Sequence, residues 1–174
     1  LLPFVRTEVR NGTMVLSFCS EIGEANLRPS HGLKYYLTVQ EIAGLEVADA
    51  GNLQAASLEV DHLEMIVRDS GDLEVDWLEA RTLEARISDS GDARLAGQVQ
   101  TQDLTVRDSG DYIAGDLHSQ ADTAVVSDSG EATLWTSEVL DVTISDSGDV
   151  NYYGHPKIRQ RITDSGKLTR SLGE

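Results

Sequence analysis

The sequence predicts an all-β fold, a single-domain right-handed parallel β-helix. Three observations carry that reading. A four-residue corner motif recurs seven times, apolar residues alternate with period two between the corners, and aromatic residues make up only 5 % of the chain, so the core must be aliphatic. The motif reads Asp49-Ala50-Gly51-Asn52, Asp69-Ser70-Gly71-Asp72, Asp89-Ser90-Gly91-Asp92, Asp108-Ser109-Gly110-Asp111, Asp128-Ser129-Gly130-Glu131, Asp146-Ser147-Gly148-Asp149 and Asp164-Ser165-Gly166-Lys167. The leading Asp residues are 20, 20, 19, 20, 18 and 18 positions apart. A fixed period of this size marks a unit that buries its apolar face only by stacking on copies of itself.

Each coil of about 18–20 residues reads as three short strands. Forward from the Asp, the fourth and sixth residues are Leu53/Ala55, Leu73/Val75, Ala93/Leu95, Tyr112/Ala114, Ala132/Leu134 and Val150/Tyr152. Backward from the next Asp, the second residue is Val67, Ile87, Val106, Val126, Ile144 and Ile162, and the fourth is Met65, Ala85, Leu104, Ala124, Val142 and Gln160. A third inward set comprises Leu58/Val60, Leu78/Ala80 and Leu117. Stacked at a spacing of ~4.8 Å, these rows form aliphatic ladders, and the handedness of parallel crossovers makes the helix right-handed. A leucine-rich-repeat horseshoe would need a Leu-rich consensus with an Asn or Cys ladder, which is absent.

The domain spans 1–174. Residues 49–174 form regular coils, and 1–48 form leading strands and an N-terminal cap. Val5 to Phe18 alternates around Asn11-Gly12, a hairpin signal. Residues 20–32 read as a loop and Leu33 to Val39 as a strand. Phe4, Phe18, Tyr35 and Tyr36 are expected to plug the open end of the helix.

The formal charge is −16, which disfavours nucleic acid and favours cations or basic partners. It is unevenly spread. Residues 150–174 carry five basic groups (Lys157, Arg159, Arg161, Lys167, Arg170) against Asp164 and Glu174, a net of +3, leaving −19 on the first 149 residues. Cys19 is the sole cysteine, which excludes an intrachain disulfide and a Cys-rich metal site. No apolar run reaches the ~18 residues of a membrane span, and Leu1-Leu2-Pro3-Phe4 is too short for a signal peptide.

The run LEVADAGNL, VRDSGDL, ISDSGDA, VRDSGDY, VSDSGEA, ISDSGDV, ITDSGKL resembles the bacterial family of unknown function described as a putative auto-transporter adhesin, head GIN domain. FVRTEVRNGTMVLSF and LKYYLTVQEIAGLEV are similar to that family's first strands. The resemblance covers nearly the whole chain. It implies a β-helical fold and an exported, cell-envelope or extracellular setting, and it brings no catalytic residues.

Stacking aligns two carboxylate columns, one of Asp49, Asp69, Asp89, Asp108, Asp128, Asp146 and Asp164, the other of Asp72, Asp92, Asp111, Glu131 and Asp149. Like charges ~4.8 Å apart repel by roughly 1 kcal/mol in water. The reading preferred from sequence is local: each Asp side chain accepts from the backbone N–H groups of the following Ser and Gly, and the Gly supplies a positive φ or an otherwise tight corner. The rival is calcium, which takes several oxygen ligands, on Asp69, Asp72, Asp89, Asp92, Asp108, Asp111, Asp128, Asp146 and Asp149. No other cofactor is expected. The corner serines recur once per coil with no consistently placed His, which argues against a nucleophilic hydrolase.

Trp135 and Tyr153 form a candidate ligand platform for sugar rings or apolar groups if they point outward. Counting forward from the corners places them outside, counting backward places them inside, and burial of large aromatics favours inside. The expected function is therefore a non-enzymatic module for adhesion or envelope structure, with a protein or glycan surface as partner. An end-to-end polymerising scaffold and a polysaccharide-active enzyme are the alternatives.

Overall fold

The computed structural model describes residues 5–18, 21–22, 25–26, 34–39 and 41–172. The chain divides into two compact units, Leu1–Val39 and Gln40–Glu174. In the first, β1 (Val5–Arg10) and β2 (Thr13–Phe18) pair antiparallel around Asn11 and Gly12, whose φ values are 50° and 83°. Two successive left-handed residues are what a two-residue hairpin turn requires, as the Asn-Gly pair predicts. Within the expected 20–32 loop, β3 (Glu21–Ile22) and β4 (Ala25–Asn26) pair antiparallel.

Residues 34–39, expected as a strand, carry none. Alternation makes a strand only where a neighbour takes up its hydrogen bonds, and here Leu37 and Val39 are exposed. Tyr35 and Tyr36 are exposed as well, Tyr36 by 90 %, so they are not the buried plug expected of them. Phe4 and the side chain of Phe18 lie outside the described residues.

The second unit is a parallel β-solenoid of about seven turns, with no helix. Its strands are β5 (Gly44–Val47), β6 (Asn52–Ala55), β7 (Leu58–Val67), β8 (Asp72–Ile87), β9 (Asp92–Val106), β10 (Asp111–Val126), β11 (Glu131–Ile144), β12 (Asp149–Gly154), β13 (Lys157–Ile162) and β14 (Lys167–Arg170). Each pairs with the equivalent segment one coil away, as in Leu73↔Ala93↔Tyr112↔Ala132↔Val150. The rows read from the sequence are buried through the middle coils, while Leu53, Ala55, Leu58, Val60 and Ile162 toward the ends are half-buried and Gln160 is exposed. Val47, Val67, Ile87, Val106, Val126 and Ile144 form one ladder, and Met65, Ala85, Leu104, Ala124 and Val142 form the next. Burial of each large aliphatic side chain contributes about 1.5–3 kcal/mol. Among the described residues Tyr112 is the one large aromatic that is completely buried, and it fits because the neighbours in its row, Ala93 and Ala132, are small.

The corners turn differently from the expectation. At each of the seven, the Asp adopts the left-handed backbone, with φ between 58° and 63°. Gly71, Gly91, Gly110, Gly130, Gly148 and Gly166 do not. The Gly71 N–H donates to the Arg68 carbonyl at 3.2 Å, closing a four-residue turn with Asp69 in its first central position. That position needs a positive φ, which Asp tolerates because its side chain is short and polar. The glycines are needed for room, the other half of the expectation. A Cβ at Gly91 would lie 2.7 Å from Val67 Cγ1, and one at Gly110 would lie 2.5 Å from Ile87 Cγ2. The corner glycine is seated on the apolar ladder of the coil before it.

Candidate functional site

The backbone N–H groups that follow each corner Asp are taken up by the ladder and by the turn rather than by that Asp's own carboxylate. Ser70 N–H donates to the Asp49 carbonyl at 2.8 Å and Asp72 N–H to the Gly51 carbonyl at 2.9 Å, a pattern repeated coil after coil. This corrects the expectation that each Asp side chain caps the amides that follow it. The side chains look to other partners. Asp69 Oδ2 accepts from the Asp49 N–H at 3.3 Å, Asp89 Oδ2 from Ser88 Oγ at 3.0 Å and Asp128 Oδ2 from Ser127 Oγ at 3.0 Å. Of the residues that precede the corner Asp, Ser88 and Ser127 give their hydroxyls to the column, whereas Arg68 pairs with Glu46 and Thr163 Oγ1 donates to the Ile144 carbonyl.

The second column is in register as Asp72↔Asp92↔Asp111↔Glu131↔Asp149, starting from Asn52 and ending on Lys167. Asp111, in the middle, is held above the usual carboxylate range by burial and then by the charges of Asp92 and Glu131. Each coil from Asp69 to Asp149 contributes one carboxylate per column. Among the described residues no three His, Cys, Asp or Glu side chains converge as a metal-binding group. His62 bonds Thr82 through Nδ1 at 2.7 Å, and His118 stacks on Trp135 with ring centroids 4.1 Å apart.

Trp135 and Tyr153 lie on the outer face. Trp135 sits between the buried Leu134 and Thr136, pairs with His118 on one side and Tyr153 on the other, and is half-buried. The outward orientation that the forward count gave is the correct one, because alternation runs unbroken from Leu134 through Trp135 to Thr136, and the residues that this shorter coil lacks are missing just before Trp135. β10 runs through Gly115, Asp116 and Leu117 where β11 passes directly from Leu134 to Trp135. Both aromatics depart from the inward expectation for the same reason. Tyr153 reaches across Thr133 to the second coil back, where an added Gly115 Cβ would be 3.0 Å from its Cε2.

Beside this row is a shallow groove lined by Glu74, Asp76, Arg94, Ile113, Gly115 and Asp116, with a volume of about 230 Å³. A neighbouring depression of about 290 Å³ adds Asn52, Asp72 and Asp92. Trp77, in the bulged stretch of β8 beside Asp76, is 50 % exposed, and Ile113 is 39 % exposed. The sequence reading overlooked His118, Gly115 and Trp77. Neither count finds His118 beside Trp135: the forward count sets Gly115 there and the backward count Leu117.

A second polar group lies inside the wall. Gln102, Ser119, Asp122 and Thr136 are buried among aliphatic neighbours. Tyr112 Oη donates to Gln102 Oε1 at 2.6 Å, and Ser119 Oγ and Thr136 Oγ1 both contact Asp122 Oδ2.

The fold recurs in solved structures. A putative adhesin from Bacteroides fragilis NCTC 9343 superposes with a TM-score of 0.81 at 22 % identity, over 97 % of this chain and 76 % of that one. A putative adhesin from Parabacteroides merdae ATCC 43184 gives 0.73 at 17 %, over 98 % and 79 %. A putative lipid binding protein from Parabacteroides distasonis ATCC 8503 gives 0.74 at 20 %, over 99 % and 80 %. No protein of curated function matches the sequence. The family described as putative auto-transporter adhesin, head GIN domain, matches residues 1–156, in agreement with the resemblance carried by the Asp-Ser-Gly-Asp corners, and the chain belongs to it.

Proposed function

We propose that the chain is a non-enzymatic β-helix module, exported to the cell envelope or beyond it, that holds a partner on the outer face of β8–β12. The observation that carries this reading is the half-exposed row His118–Trp135–Tyr153 beside a groove rimmed by carboxylates and Arg94. Large aromatics left partly exposed on a regular ladder are suited to stacking and apolar contact. The row lies on strands fixed by hydrogen bonds on both sides, so little ordering is needed on binding. The family's description as an adhesin supports a role in surface attachment. The groove chemistry favours a glycan that is neutral or bears amines, since a body of formal charge −16 repels sulfated or uronic-acid polymers. The acidic columns are read as ion-independent, and calcium bridging adjacent coils is the rival reading.

The test is retention on a panel of neutral, amine-bearing and anionic polysaccharides, matrix proteins and lipid vesicles, with product detection for cleavage. Retention on a neutral or amine-bearing glycan without cleavage, weakened at least tenfold in Trp135→Ala/Tyr153→Ala, is expected. Binding undiminished in that variant, or new reducing ends released from a polysaccharide, would sink the reading. The vesicle arm addresses lipid, the ligand class named for the Parabacteroides distasonis protein. Gel filtration across a salt series addresses end-to-end polymerisation, for which the exposed basic residues Lys157, Arg159 and Arg161 of β13 are the motive.

A further inference from the structure

We propose that Asp122 is a proton-binding site in the core: in mildly acidic solution the folded chain holds it as a carboxylic acid whose Oδ2 proton is donated to Ser119 Oγ. The reason is a count of protons. Ser119 Oγ lies 2.7 Å from Asp122 Oδ2 and 3.0 Å from the Trp135 carbonyl oxygen. A serine hydroxyl has one proton, and both a carbonyl and an ionised carboxylate can only accept. With an ionised Asp122, one of the two contacts would bring oxygens together with no proton between them. A protonated Oδ2 resolves the conflict, because Asp122 donates to Ser119 and Ser119 donates to Trp135. The Thr136 hydroxyl also bears on Oδ2.

Burial points the same way. Asp122 is 3 % exposed, and its Oδ1 has no hydrogen-bond partner. An ionised carboxylate wants several donors shared over both oxygens, and a dry, unserved oxygen is tolerable only when the group is neutral. The position is one where an aliphatic residue would fit. Its row reads Leu63, Leu83, Gln102, Asp122, Leu140. Of the titratable groups nearby, Tyr112 faces the same interior, one coil-width from Asp122 through Gln102. Asp103 on β9, His118 on β10, and Glu138 and Asp141 on β11 lie on the outer side of the wall. Desolvation by burial raises the Asp122 pKa to about 6, the Ser119 and Thr136 bonds lower it in part, and Asp103 adds to the rise.

The linkage has a definite sign. The pKa is raised from 3.8 to about 6, so between those values the folded chain retains a proton that the unfolded chain has lost. Stability contributed at this site is greatest below about 4, falls as pH rises to about 6, and is level above that. Asp122→Asn is a neutral stand-in for the acid and lacks this dependence. Urea unfolding of the full chain in dilute solution from pH 4 to 7.5 is expected to show the variant's folding constant pulling away from that of the wild type by roughly 50-fold. In the wild type, the Asp122 carboxyl carbon should titrate by NMR with a midpoint near 6. A ratio that stays constant across the range, or a midpoint near 4, would overturn the proposal and assign the dry oxygen to an internal water or cation. Should the Asn variant fail to fold, the carboxyl titration decides alone. None of this rests on the proposed binding role of the outer face.

Discussion

The Asp-Ser-Gly corner and the irregular stretch that follows the first strand segment of each coil handle the same chain in opposite ways. At the corner nothing varies: seven Asp residues share φ within a few degrees, and the glycine is pressed on the Val or Ile of the preceding coil. In the irregular stretch the register slips between Val75 and Leu78, between Ile113 and Asp116, and between Ala114 and His118. Coils of different length are reconciled there. Gly97 does so in the 19-residue coil, at φ 126°, where an added Cβ would collide with the Leu78 carbonyl oxygen. The residues with distinctive chemistry (Trp77, His118, Trp135, Tyr153, and behind them Ser119 and Thr136) gather at or beside this stretch. Repetition builds the support, and departures from it supply the features that one coil has and its neighbours lack.

The largest effects should come from breaking the corner and its ladder. Ile87→Asp would bury an unpaired carboxylate in the ladder and should cost on the order of 4 kcal/mol. Gly110→Val would force side-chain atoms onto Ile87 Cγ2 and close to the Gly91 carbonyl oxygen, 3.0 Å from the first added carbon, and should cost about 3 kcal/mol. Gly115→Val in the irregular stretch meets only the Tyr153 ring and the Thr133 methyl, which can move, and should cost under about 1 kcal/mol. Denaturant midpoints of the three variants measure the contrast. Equal losses at Gly110 and Gly115 would show that the corner is no more constrained than the rest.

The same contrast explains what could be read from sequence. The ladders of Val67 and Met65 were legible because every coil repeats them, and a burial pattern of period two has only one interior. The role of the corner glycine was only half legible. Sequence places Asp and Gly two residues apart, and either tolerates a positive φ, but only coordinates show that Gly sits beneath Val67 or Ile87 and is needed for space. The outward aromatics turned on where the 18-residue coils lose their residues, which a repeat length alone does not give. The buried polar group had a signal that went unused. Counting six back from each Asp gives Leu63, Leu83, Gln102, Asp122 and Leu140, where two polar residues interrupt an aliphatic row. Residues 1–48 have no repeat to average over, and the strand expected at 33–39 failed there.

The smallest effects concern the Asp column, where the corner's uniformity carries a charge penalty that its geometry does not require. Asparagine tolerates the left-handed backbone as readily as aspartate, so the turn at Asp89 and Asp108 would accept it. Each substitution also removes repulsion from column neighbours ~4.8 Å away, worth about 1 kcal/mol per pair in water before screening. In Asp89→Asn the Ser88 hydroxyl can still donate to the amide oxygen that takes the place of Asp89 Oδ2. Asp89→Asn/Asp108→Asn should therefore be more stable than the parent by about 1 kcal/mol at low ionic strength, and the gain should shrink as salt screens the column. Calcium supplies the opposing outcome. An ion bridging adjacent coils would raise the parent's melting temperature with the logarithm of its concentration, and the double variant would lose that rise. The expected result is the same melting temperature in millimolar calcium and in chelator, for parent and variant alike. A calcium-dependent rise confined to the parent would make the column an ion site, and the corner would then be chosen for binding as well as for turning.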